Sequence, residues 1–102
     1  MAVTKIEGKD FKRLAVESKK KVVVDCYAEW CGPCKMLGPV IDSLSEENTE
    51  YEFYKLDVDE AEEISKEYGV MSIPTLLIFN KGELINKSVG LISKEELITL
   101  LK

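Results

Sequence analysis

Residues 22–34 read Val22-Val23-Val24-Asp25-Cys26-Tyr27-Ala28-Glu29-Trp30-Cys31-Gly32-Pro33-Cys34, and this stretch decides the fold. Val22 to Ala28 is apolar or aromatic except for Asp25, the pattern of a strand buried on both faces, as in a parallel sheet. Beyond Cys34, the residues Leu37, Val40, Ile41 and Leu44 recur at helical spacing, so a helix should start with the second cysteine in its first turns. Pro39 lies within that helix and removes a backbone donor, which predicts a bend. The order is therefore buried strand, tight turn, helix N-terminus.

Upstream, Phe11, Leu14, Ala15 and Ser18 are spaced for a short amphipathic helix, with Val3 to Ile6 as a strand before it. Downstream, Phe53 to Val58 reads as a strand. Asp59 and Glu62 follow as a capping box for a helix carrying Ala61, Ile64 and Tyr68, with Gly69 as its left-handed stop. Thr75 to Phe79 and Leu84 to Val89 flank Asn80-Lys81-Gly82-Glu83, a turn short enough for an antiparallel hairpin. Ser93 and Glu96 form a second capping box, Ile92 and Leu97 are placed for a hydrophobic staple, and Leu100 and Leu101 extend the buried stripe. The alternation predicts an α/β fold with helices on both faces of a mixed sheet, in a single domain over residues 1–102.

The sequence has 102 residues, 45% hydrophobic and 32% charged, which is ordinary for a globular chain with a real core. A formal charge of -5 provides no basic field, so neither nucleic acid nor an anionic membrane is an expected partner. Lys19-Lys20-Lys21 reads as a solvated turn. Residues 1–10 contain no apolar leader core and no apolar run is long enough to span a bilayer, which points to a cytoplasmic location. Three cysteines are too few for a disulfide framework. Histidine is absent, which removes Cys-His hydrolases, imidazole-ligated zinc and any redox site with His between its cysteines.

Taken alone, Cys31-x-x-Cys34 serves zinc ribbons, iron–sulfur proteins and redox enzymes alike. A structural zinc needs four ligands, and the sequence adds only Cys26 and carboxylates, with no second C-x-x-C, so no metal site is expected. For redox chemistry the setting fits: unpaired N–H groups at a helix N-terminus favour the thiolate of Cys31, the form that attacks disulfides. Asp25, in a central strand, should be buried. An incompletely paired buried carboxylate is costly, so it must be satisfied by a neighbour and water or stay protonated to high pH. Tyr27 and Trp30 would ordinarily be core aromatics, and Cys26 an inert buried thiol.

Trp30-Cys31-Gly32-Pro33-Cys34 resembles the active site of the thioredoxin family. Val24-Asp25, Tyr68-Gly69, Ile73-Pro74-Thr75, Asn80-Lys81-Gly82 and Val89-Gly90 match the family pattern in order and spacing, over nearly the whole chain. The resemblance implies a central five-stranded mixed sheet flanked by four helices, and disulfide reductase activity with no bound cofactor beyond a redox-active Cys31–Cys34 disulfide. It implies that Cys31 is the exposed nucleophile, Cys34 the shielded resolving thiol, and Asp25 the buried carboxylate that moves a proton to or from Cys34, with Lys55 beside it. Trp30, Gly32, Pro33, Val58, Ile73, Pro74, Val89 and Gly90 would form the apolar rim on which clients dock. By frequency alone the Ile73–Pro74 bond would be trans; the resemblance makes it cis and leaves the Ile73 backbone free to pair with an extended client. The partners implied are a reductase that supplies electrons and disulfide-containing proteins, met by a monomer. Cys26, Tyr27 and Met71-Ser72 depart from the commonest family residues. Two other readings stay open: a binding module that uses the rim without the thiols, and a disulfide isomerase or oxidase, which Gly32-Pro33 and the missing leader disfavour.

Overall fold

A computed structural model describes residues 3–101. Its five strands are β1 (Val3–Ile6), β2 (Lys21–Tyr27), β3 (Tyr51–Asp57), β4 (Thr75–Asn80) and β5 (Glu83–Val89), ordered β1-β3-β2-β4-β5 across one mixed sheet. β1 and β2 run parallel to β3, while β4 is antiparallel to both β2 and β5. The helices are α1 (Gly8–Phe11), α2 (Gly32–Glu47), α3 (Glu62–Glu67) and α4 (Lys94–Leu101).

Side-chain alternation in the central strands divides the core in two. Val22, Val24 and Cys26 of β2, with Leu77 and Phe79 of β4, face Phe11, Ala15 and Ala61 on the side of α1 and α3. Val23, Leu76 and Ile78 face Leu37, Ile41, Leu44, Leu97 and Leu101 of α2 and α4. The nearly unbroken apolar run of β2 follows from its central place, with a neighbour on each edge and a layer on each face.

Local chemistry accounts for the ends of the elements. In the Ser93 capping box, Glu96 N–H donates to Ser93 Oγ and Ser93 N–H to Glu96 Oε1, both at 3.2 Å. At the end of α3, Gly69 takes φ 64° and Val70 N–H reaches Ser65 O at 2.8 Å, closing the helix as expected. The β4–β5 turn places Lys81 at φ 53° and Gly82 at φ 83°. A β-carbon at Gly82 would run into the Val16 carbonyl oxygen, a backbone atom unable to give way. Gly82→Ala should therefore lower the stability of the fold by at least about 2 kcal/mol in chemical denaturation, more than the left-handed conformation alone costs.

Two expectations are corrected. The first helix is an α-turn that continues into a π-helical turn, Lys12–Val16, closed by Glu17 N–H on Lys12 O at 2.8 Å; Phe11 and Ala15 still reach the core. Asp59 and Glu62 make no capping box. β3 ends in a 3₁₀ turn, Val58–Glu60, capped by Asp57, whose Oδ1 accepts the Asp59 N–H at 2.9 Å. The turn begins two residues early because Asp57 supplies the acceptor, and α3 starts only after Ala61, at φ -142°, resets the backbone.

Candidate active site

The helix α2 starts directly above the carboxyl end of β2, and Cys31 is its N-cap residue, with extended backbone. The Cys34 N–H donates to Cys31 Sγ at 3.2 Å, so one orphan donor of the helix terminus points at this sulfur. Such a terminus stabilises negative charge on Cys31 when the pair is reduced. Gly32 and Pro33 occupy the first helical positions, where a proline costs no hydrogen bond. Cys31 and Cys34 form a disulfide, with Cα atoms 5.3 Å apart.

Exposure does not separate the two cysteines. Cys31 is 4% exposed and Cys34 5%, so the open nucleophile implied by resemblance is corrected: both sulfurs pack with Ala28 under Tyr27, Val58 and Ile73. What separates them is their surroundings. Cys31 Sγ lies 3.9 Å from the Ile73 carbonyl oxygen. Cys34 lines a cavity of about 190 Å³ beneath the helix, which it shares with Asp25, Tyr27, Lys35 and Lys55.

Asp25 is buried, and its Oδ1 has no hydrogen-bond partner among the described residues. Burial pushes its carboxyl up to about 7; Lys55 opposes this and Asp42 adds to it. The sheet register sets Lys55 of β3 opposite Asp25, as expected for neighbours, yet no ion pair joins them. The Lys55 ammonium instead stands 5.6 Å from the centre of the Tyr27 ring. Tyr27 is half-buried and lines the cavity, so it is not an interior core aromatic.

Cys26 faces the opposite core, 1% exposed, and burial, reinforced by Asp25, pushes its thiol up to about 12. In the reduced protein at neutral pH, iodoacetamide should alkylate Cys31 quickly and leave Cys26 unmodified until denaturant is added, as read by intact mass. Among the described residues no group of three or more His, Cys, Asp or Glu is placed to hold a metal.

The residues assigned to the rim gather at the same end of the sheet. Trp30 is 71% exposed, Gly32 and Pro33 are exposed, Val58, Ile73 and Gly90 are half-buried, and Val89 is exposed at the start of the β4–β5 pairing, opposite Thr75. Pro74 differs: it is buried, its carbonyl accepts the Gly90 N–H at 2.8 Å, and it supports the rim from below. The Ile73–Pro74 bond is cis, as the resemblance implied.

Three further apolar residues close in sequence to these positions are also exposed: Met36, Met71 and Leu91. Asp59 was also missed. Its Oδ2 accepts the Trp30 indole N–H at 2.8 Å, fixing the exposed ring beside the disulfide. The signal that could have found it is topological, because the loops after parallel strands β2 and β3 leave the sheet at the same end.

The thioredoxin family model matches residues 2–102. Among curated relatives, the thioredoxin of Bacillus subtilis is 44% identical over 102 residues, spanning 99% of this chain and 96% of that protein. The thioredoxin of Mycoplasmoides gallisepticum is 49% identical over 87 residues, covering 85% and 87% of the two chains. Thioredoxin-1 of Saccharomyces cerevisiae is 49% identical over 76 residues, 74% of each.

Proposed function

Because this chain belongs to the thioredoxin family and is a protein-disulfide oxidoreductase with a redox-active cysteine pair, we propose a division of labour among its residues. Family membership implies a reductase and disulfide-containing clients in general. Cys31, as thiolate, attacks a client disulfide; one client sulfur leaves and takes up a proton, and Cys31 remains joined to the other in a mixed disulfide. Cys34 then passes its proton to the Asp25 carboxylate across the shared cavity and attacks Cys31 Sγ. The second client sulfur departs, and the Cys31–Cys34 disulfide carries away the two electrons' worth of oxidation. Lys55 moderates the charge on Asp25. An extended client lies along Ile73, flanked by Trp30, Gly32, Pro33, Val58, Val89 and Gly90, with Pro74 beneath.

The observation that carries this reading is the asymmetry of the pair: the helix terminus and the Ile73 carbonyl adjoin Cys31, while Asp25 adjoins Cys34. Within the same proposal the chain acts as one domain and as a monomer in the cytoplasm, without bound cofactor, metal, nucleic acid or membrane. The charge of -5 favours none of the anionic partners, and no helix among the described residues is long and apolar enough to cross a membrane. The test is reduction of insulin by dithiothreitol, followed by turbidity. The chain at micromolar concentration should speed precipitation strongly and Cys31→Ser should not; equal acceleration by both would remove Cys31 from the attack.

A further inference from the structure

Asp25 and Lys55 face one another across β2 and β3, and opposite charges at such a cross-strand position ordinarily draw together. Here they do not. No ion pair links Lys55 to a carboxylate among the described residues, Asp25 Oδ1 is unpartnered, and the ammonium lies over the face of Tyr27 at 5.6 Å, within cation–π range. Tyr27 is two residues beyond Asp25 on β2, so both side chains leave the strand on the same face and line the same cavity. We propose that Tyr27 is a positioning residue for the second thiol step: its ring holds the Lys55 ammonium off the Asp25 carboxylate and leaves that carboxylate free beside Cys34. The proposal rests on the reading of Asp25 as the acceptor of the Cys34 proton.

The other groups around Asp25 do not substitute for Lys55. From α2 come Asp42, which repels, together with Lys35 and Cys34 at the cavity wall; Glu29 enters from the loop after β2. On the β4 side Asp25 faces uncharged Leu76, and Cys26 points into the opposite core. Among the described residues Lys55 is the one cation that lowers the Asp25 carboxyl, so where its ammonium sits determines how readily Asp25 takes a proton near neutrality.

Titration of the Asp25 side-chain carboxyl by carbon-detected NMR tests this in the oxidised protein, where neither active-site thiol titrates. In Tyr27→Leu or Tyr27→Met the ammonium is released toward the carboxylate, and the midpoint should fall by about one pH unit, as an opposite charge within reach produces. Tyr27→Phe keeps the ring face and should restore the wild-type midpoint. In a Lys55→Met background, Tyr27→Leu should cause no fall. An unmoved midpoint in both non-aromatic variants, or an equal fall without Lys55, would overturn the proposal, the latter by showing that solvent entry is the cause. The pH profile of single-turnover release from the mixed disulfide separates the two readings. Its ascending limb should move to lower pH with the carboxyl; if the carboxyl moves and the limb stays, the role of Asp25 falls while the placement of Lys55 stands.

Discussion

Asp25→Ala should be more stable than the wild type at pH 8 by about 3 kcal/mol and should release clients more slowly from the mixed disulfide. An unfolded aspartate titrates near 3.9, whereas burial holds Asp25 at about 7 in the folded chain. The folded state therefore binds the proton more tightly. Below the unfolded value both states are protonated and Asp25 carries no titration penalty. Between about pH 4 and pH 7 the unfolded chain ionises while the folded carboxyl resists, so wild-type stability falls through that window. Above it the gap of about three units corresponds to about 4 kcal/mol. Truncation to Ala removes this penalty and gives back part of the gain as lost packing, although the side chain already borders a cavity. The gain should be present at pH 8 and gone at pH 4, as measured by denaturant unfolding of the oxidised proteins. Release suffers because the buried carboxylate that shares the cavity with Cys34 is gone.

Cys34→Ser should lengthen the life of the mixed disulfide by three orders of magnitude or more. A thiol held against its target acts at an effective concentration on the order of 10⁵ M, and millimolar thiol in solution cannot replace it. The serine hydroxyl preserves size and the buried setting of residue 34, which is 5% exposed, but does not attack sulfur. Gel analysis under non-reducing conditions should show the client conjugate persisting in this variant and never forming in Cys31→Ser.

The elements that carry this chemistry were legible because their signals are local. The apolar run of β2, the helical spacing after Cys34 and the Ser93–Glu96 box each lie within a few residues, and each forms where expected. The misses share a different cause. Asp59 read as a helix cap because its spacing to Glu62 suits one, whereas its carboxylate serves Trp30, 29 residues away in sequence. Its own N–H is held by Asp57, a local alternative that the capping pattern does not reveal. The burial of Cys31 depends on Val58 and Ile73 meeting over it from two other loops. Lys55 was set beside Asp25 by family resemblance and not by any local spacing; the strand register puts the two opposite one another, but the turn of Lys55 toward Tyr27 is a competition between two partners that no spacing rule resolves. The cis bond before Pro74 came through family resemblance alone, since frequency favours trans.

The central claim is that Cys31 joins the client and Cys34 frees it. Peptide mapping of the conjugate trapped by Cys34→Ser, digested at low pH to prevent exchange and read by mass spectrometry, measures that bond directly. The account predicts a client cysteine linked to the peptide bearing Cys31 and none linked to the peptide bearing Cys26. A conjugate carried by Cys26, or an equal yield of conjugate from Cys31→Ser, would contradict it.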